Sequence, residues 1–183
     1  MNNAATATAR TASPVRKLTY SALFLALAMV LPFLTGQIPE IGSMLCPMHI
    51  PVLLCGFLCG PWWGAAVGAV APLLRHALFH MPPLVTALGM TFELAAYGLV
   101  TGLAYRRLPK KPAFICAALL IAMVAGRLVW GMAMVVITGV TGADFGWKVF
   151  LSGAVLNAVP GILLQLVLIP ALVLALRRAK IMD

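Results

Sequence analysis

The stretch Met48–Phe79, MHIPVLLCGFLCGPWWGAAVGAVAPLLRHALF, decides the fold. It runs for about 32 residues and is apolar apart from His49, Arg75 and His76. One helical crossing of a bilayer needs about 20 residues, so the stretch is long for one crossing and slightly short for two. Gly60-Pro61 interrupts it and Trp62-Trp63 follow. Proline inside a helix removes a backbone donor and clashes with the preceding turn, so the sequence predicts two helices turning there, with both tryptophans at a membrane–water interface.

The flanks test that reading by parity. Most of the 13 Lys and Arg residues fall in three clusters: Arg10, Arg16, Lys17; Arg106, Arg107, Lys110, Lys111; and Arg177, Arg178, Lys180. Each cluster abuts an apolar run, which is the positive-inside signature of cytoplasmic ends. An even number of crossings must then separate successive clusters. Between Lys111 and Arg177 lie two, about Ala113 to Val136 and Phe150 to Leu176, joined by a short outer loop that holds Asp144. Between Lys17 and Arg106 lie Leu18 to Leu34, the two halves of the opening stretch, and Leu84 to Tyr105. A single helix over Met48–Phe79 would put Arg106–Lys111 outside, so two are favoured. The expectation is an all-α integral membrane protein with six transmembrane helices and cytoplasmic N- and C-termini.

Composition fixes the same class. The chain has 183 residues, 63% hydrophobic and 9% charged, with a mean hydropathy of +1.05. A soluble domain is about 45–50% apolar and about 25% charged, so this chain has too little polar surface to cover itself in water. The net charge of +9 resides at the helix ends, which argues against nucleic-acid binding. Residues 1–13, MNNAATATARTAS, are small and polar and read as a flexible cytoplasmic tail; residues 14–183 read as one six-helix domain. The apolar run after Arg16-Lys17 is longer than a signal-peptide core and lacks an A-x-A site, so it reads as a retained first helix. Cys46, Cys55, Cys59 and Cys116 form no CxxC pair and read as small hydrophobes.

Against this background the buried polar residues stand out. Arg75, Glu93 and Arg127 lie inside apolar stretches, and a charge kept at membrane depth usually faces a cavity, a partner or a substrate. Glu93 is expected to pair with Arg75 or Arg127. His49 lies between Pro47 and Pro51 where the outer loop re-enters the membrane, and Asn157 and Gln165 share a face of the last span. Two fixed positive charges against one negative favour a small ligand carrying a carboxylate or phosphate. Phe92, Tyr97 and Trp130 offer stacking surfaces. The substrate-binding set expected from this chemistry is His49, Arg75, Glu93, Arg127 and Asn157. His76 and His80, one turn apart, lack a third ligand and the HExxH pattern, so no metal and no cofactor are expected. They nonetheless carry the alternative to a binding protein: an integral membrane enzyme using His76, His80 and Glu93 as acid–base groups.

Small residues at helical spacing mark two faces. Ala22 and Ala26 give the first helix a small-xxx-small face that lets another helix approach closely, and Gly64, Gly68 and Pro72 repeat the pattern, where packing within the chain is favoured. No GxxxxGK[ST] loop is present and no inverted repeat is visible, so a transport role requires an energising partner.

The stretch from Leu31 through Ile41-Gly-Ser-Met-Leu-Cys-Pro-Met-His-Ile-Pro-Val-Leu-Leu-Cys-Gly-Phe57, followed by Pro72-Leu-Leu-Arg75 and Met81-Pro-Pro83, resembles the pattern of substrate-binding S components of energy-coupling factor (ECF) vitamin transporters, the pantothenate-like subgroup among them. The resemblance runs from about Val15 to Leu176. It implies a transport subunit without its own ATPase, set in the prokaryotic plasma membrane, that captures a small vitamin, best pantothenate, from outside under the loop between its first two helices. It also implies docking through the first-helix face, at Ala22 and Ala26 by position, on a transmembrane scaffold subunit joined to two ATPase subunits, with the S component toppling in the membrane to deliver its load.

Overall fold

The computed structural model describes residues 14–35, 45–109, 111–141 and 159–182. The expected tail at 1–13, Asp144 and the site candidate Asn157 lie outside the described residues. Among those described, the chain is all helical: α1 (Pro14–Val30) with a 3-10 turn at Leu31–Thr35, α2 (His49–Cys59), α3 (Pro61–Phe79), α4 (Leu84–Arg107), α5 (Pro112–Thr141) and α6 (Val159–Arg178). Four segments are long and apolar enough to cross a membrane: Pro14–Leu34, Leu84–Arg107, Pro112–Val140 and Val159–Arg178. With 11 residues, α2 is shorter than a crossing, and α3 has 19.

The opening stretch breaks where the sequence says it must. Gly60 takes φ 99° and ψ 177°, a region that side chains disfavour, and Pro61 opens α3 at the position where a missing N–H costs least. Because α2 and α3 turn on one residue, they fold back tightly: a Cβ on Gly64 would lie 2.8 Å from Gly56 Cα. The next interface is equally close. Gly98 of α4 rests on the backbone of Gly64, Gly68 on Leu94, and Gly102 on Pro61, so α3 and α4 run antiparallel with backbone against backbone. In lipid, where helices gain little from excluding water, such small-residue contacts are what hold them together. The Gly64–Gly68 face is therefore used inside the chain.

The hairpin places α2 at the centre. His49 through Phe57 are buried, as is Cys59, with Val52, Leu53 and Cys55 at zero exposure. Around α2 pack α1, α3, α4 and α6, while α5 lies against α4. On α1 the buried side is Ser21, Phe24 and Ala28, with Ser21 Oγ 3.6 Å from Cys55 Sγ. The opposite side of α1 is bare (below).

The start of α1 and the residues just after α6 meet at one end of the bundle. Arg16 Nη2 donates to the Ile181 carbonyl at 2.7 Å, and the Arg106 guanidinium lies against Gly60. All three basic clusters have members there or adjoining, since Arg106 and Arg107 end α4 and Arg177 and Arg178 end α6.

Candidate functional site

Glu93 is the tenth residue of α4, 2% exposed and walled by apolar helices. A lone carboxylate there would be prohibitively costly, and three side chains from three helices answer it on the same oxygen. Arg127 of α5 brings Nη1 to 2.8 Å from Oε1, Tyr97 donates its phenol at 3.1 Å, and His49 Nε2 stands 3.5 Å away. The glycine register sets these distances. Gly126 has no side chain, so the Tyr97 ring lies directly against it, and this lets α5 come close enough for the neighbouring Arg127 to reach Glu93. The His49 and Tyr97 rings pack with centroids 5.2 Å apart. The Cys46 thiol is a further hydrogen-bond contact of Arg127.

The cluster is neutral as a pair but not satisfied as a set of donors. His49 Nδ1 and Nε of Arg127 are buried with no hydrogen-bond partner, and His49 Nε2 has only its long 3.5 Å contact with Glu93. Buried polar atoms are almost always paired in native proteins, so each such group calls for an explanation. One turn toward the start of α4, Gly89 packs against Met134 Sδ and Trp130 Nε1, so sulfur and indole lie beside the cluster. Such an arrangement can hold a small polar molecule by hydrogen bonds and a flat apolar wall.

The sequence candidates are only partly brought together. His49, Glu93 and Arg127 converge, and of the two arginines expected as partners of Glu93 it is Arg127 that pairs. Arg75 belongs to a second cluster. It is 4% exposed, donates from Nη1 to the Met29 carbonyl at 2.7 Å, and has the Phe33 and Phe79 rings 5.2 and 5.3 Å from its guanidinium carbon. Those two rings meet edge to face at 5.1 Å. Gln165 is buried on α6. His76 Nδ1–H donates to the Pro82 carbonyl, 2.8 Å away, and its ring centroid is 6.3 Å from that of His80. No contact joins these histidines to Glu93 among the described residues, and no group of three or more metal-ligating side chains is found there.

Tyr97 had been read as a stacking surface; its hydroxyl is a ligand of Glu93 as well. Its spacing of i, i+4 from Glu93 on one helix was the available signal. Nothing in the sequence pointed to Phe33 and Phe79 as the walls of Arg75.

Ala22 and Ala26 lie on the exposed side of α1, among the exposed Leu18, Leu23, Leu27 and Val30. No described element covers this face, so the small-residue pattern there is free for a partner helix.

Two comparisons bear on these features. A family model for the substrate-specific component of ECF transporters matches residues 16–173. No curated protein matches the chain.

Proposed function

This chain belongs to the ECF transporter substrate-specific component family, and from that premise we propose that it captures a small water-soluble vitamin, with pantothenate the best candidate. Membership makes it a substrate-binding subunit of a transporter, a multi-pass membrane protein rather than an enzyme. The observation that carries the binding reading is the set of buried, unfilled hydrogen-bonding atoms of His49 and Arg127 beside Glu93. His49, Arg75, Glu93, Arg127 and Asn157 form the substrate-binding set in this reading. Pantothenate joins a carboxylate to an amide and hydroxyls, which suits two arginines set among neutral hydrogen-bonding groups.

The membrane arrangement follows the charges. The chain crosses the plasma membrane of a prokaryote six times in this reading, and the end that carries the basic clusters faces the cytoplasm. Ala22 and Ala26 dock on a transmembrane scaffold subunit that is joined to two ATPases; the bare outer side of α1 supports that assignment.

Mass spectrometry of the detergent-purified protein, native and then denatured, identifies what it carries, and thermal-shift titration over a vitamin panel ranks its ligands. One vitamin that stabilises at sub-micromolar concentration is expected. At a hundredfold excess over Kd the gain is about 2.7 kcal/mol, a shift that is readily seen. No shift with any vitamin, and no co-purified small molecule, would overturn the capture reading.

A further inference from the structure

The two buried arginines differ in what answers their charge. Arg127 is answered in full: with Nη1 2.8 Å from Glu93 Oε1, guanidinium and carboxylate cancel. What the cluster still offers is hydrogen bonding, from the Arg127 Nε–H and from His49 Nδ1. An amide or an alcohol, which both gives and takes a hydrogen bond, suits these two atoms whichever role Nδ1 plays. A second carboxylate at that place would meet Glu93 and be repelled.

Arg75 is in the opposite condition. Among the described residues it forms no ion pair with a carboxylate; one of its five N–H groups goes to the Met29 carbonyl and two phenyl rings flank the plane. A buried cation with no counter-ion among the described residues is a site where a bound anion would be stabilising.

The two clusters adjoin. The antiparallel register of α3 on α4, Gly64 on Gly98 and Gly68 on Leu94, continued outward, brings Arg75 level with Ala87. That level is about 9 Å outward from Glu93 at 1.5 Å per residue. Ala28, Met48 and Ala71 pack together, and this group touches both neighbourhoods in sequence, Met48 next to His49 and Ala71 one turn from Arg75.

We propose that substrate recognition is divided: Arg75 takes an anionic group, and the His49–Arg127–Glu93 cluster takes a neutral donor–acceptor group about 9 Å further in, with Arg127 supplying a hydrogen bond and not the anion's counter-charge. This assignment rests on the capture reading above and narrows its substrate class to a monoanion with an amide or alcohol at the far end.

The test compares pantothenate with pantothenol, in which a primary alcohol replaces the carboxylate, by calorimetric titration of the purified protein. Wild type is expected to prefer pantothenate by at least about tenfold, the effect of one lost charge-assisted hydrogen bond. Arg75→Gln should abolish the preference, lowering pantothenate affinity at least about tenfold further than pantothenol affinity, and Arg127→Gln should weaken both compounds by the same factor. If Arg75→Gln does not fold, Arg75→Lys, which keeps the charge and loses the fork, should still lower the preference several-fold; if Arg127→Gln does not fold, Arg127→Lys replaces it. A preference unchanged in the Arg75 variant, or lost in the Arg127 variant alone, overturns the assignment, as does equal binding of the two compounds by wild type. Wild-type binding of neither compound overturns the pantothenate reading and this assignment with it, and needs no variant to be recognised.

Discussion

At Glu93 and Arg127 one buried charge exists only because the other does. Glu93→Gln keeps the shape of the side chain and leaves the Arg127 guanidinium, with 17% of its side chain exposed, without its carboxylate. Breaking a buried pair from one side costs about 3–5 kcal/mol, whereas removing both charges is far cheaper. Glu93→Gln is therefore expected to lower the thermal midpoint of the purified apo protein sharply, and Glu93→Gln with Arg127→Met to recover much of the loss. A double variant no more stable than the single would show that Arg127 is held by something other than Glu93. Arg75 is stabilised differently, by two ring faces and one carbonyl. Phe79→Leu and Phe33→Leu should each cost about 1–2 kcal/mol, the worth of a desolvated cation–π contact plus lost packing, measured by the same midpoint. The sequence made all three of these charged side chains conspicuous, because an ionisable group in an apolar run is visible at a glance. It did not say which arginine meets the carboxylate. That depends on how each helix is rotated about its axis and on the level at which α5 crosses α4, and both quantities come from contacts between residues distant in sequence.

Those levels are set by glycines, and the elements owe their spacing to them. A methyl on Gly98 would press into the backbone of Gly64, where no rotamer change can make room, so the helices themselves must part. Gly98→Ala should cost about 3 kcal/mol or more, the upper range for overpacking. Gly139, on the exposed side of α5, meets nothing within 4 Å, and Gly139→Ala should be neutral or gain up to about 1 kcal/mol from helix propensity. Similar melting of the two variants would mean that α3 and α4 are not held by this contact. Much of the element layout was legible. The turn at Gly60-Pro61 follows from backbone chemistry that acts within two residues, and α4 begins at the expected Leu84. The first helix begins earlier than expected, at Pro14, since Arg16 and Lys17 extend its first turn toward water without breaking it, and its apolar run ends in a 3-10 turn instead of continuing to Leu34 as one α-helix. The Gly64–Gly68 pattern announced a close helix contact, but its partner, α4, could be found only in three dimensions, because Gly98 and Gly102 alone carry no direction.

Across the whole molecule, the asymmetry of α1 underlies the proposal that binding and docking use separate faces. One side of this helix, Ser21, Phe24 and Ala28, is buried against the hairpin; the other, with Ala22 and Ala26, is exposed and flanked by Leu23 and Leu27. A lipid-facing helix needs only apolar side chains, and bulky ones serve it best, so two alanines one turn apart, set among leucines, provide a groove that a second helix can enter to backbone distance. The groove lies on the far side of α1 from the buried clusters, so filling it should leave the polar residues undisturbed. Ala22→Trp and Ala26→Trp each place an indole there. Both variants are expected to bind vitamin with wild-type affinity, to fail to co-purify with the scaffold and ATPase subunits, and to support no uptake in cells. Retained uptake and co-purification in both would remove α1 as the docking helix. Loss of vitamin binding would instead make the face part of the fold's own support and reverse the separation of roles argued from its exposure.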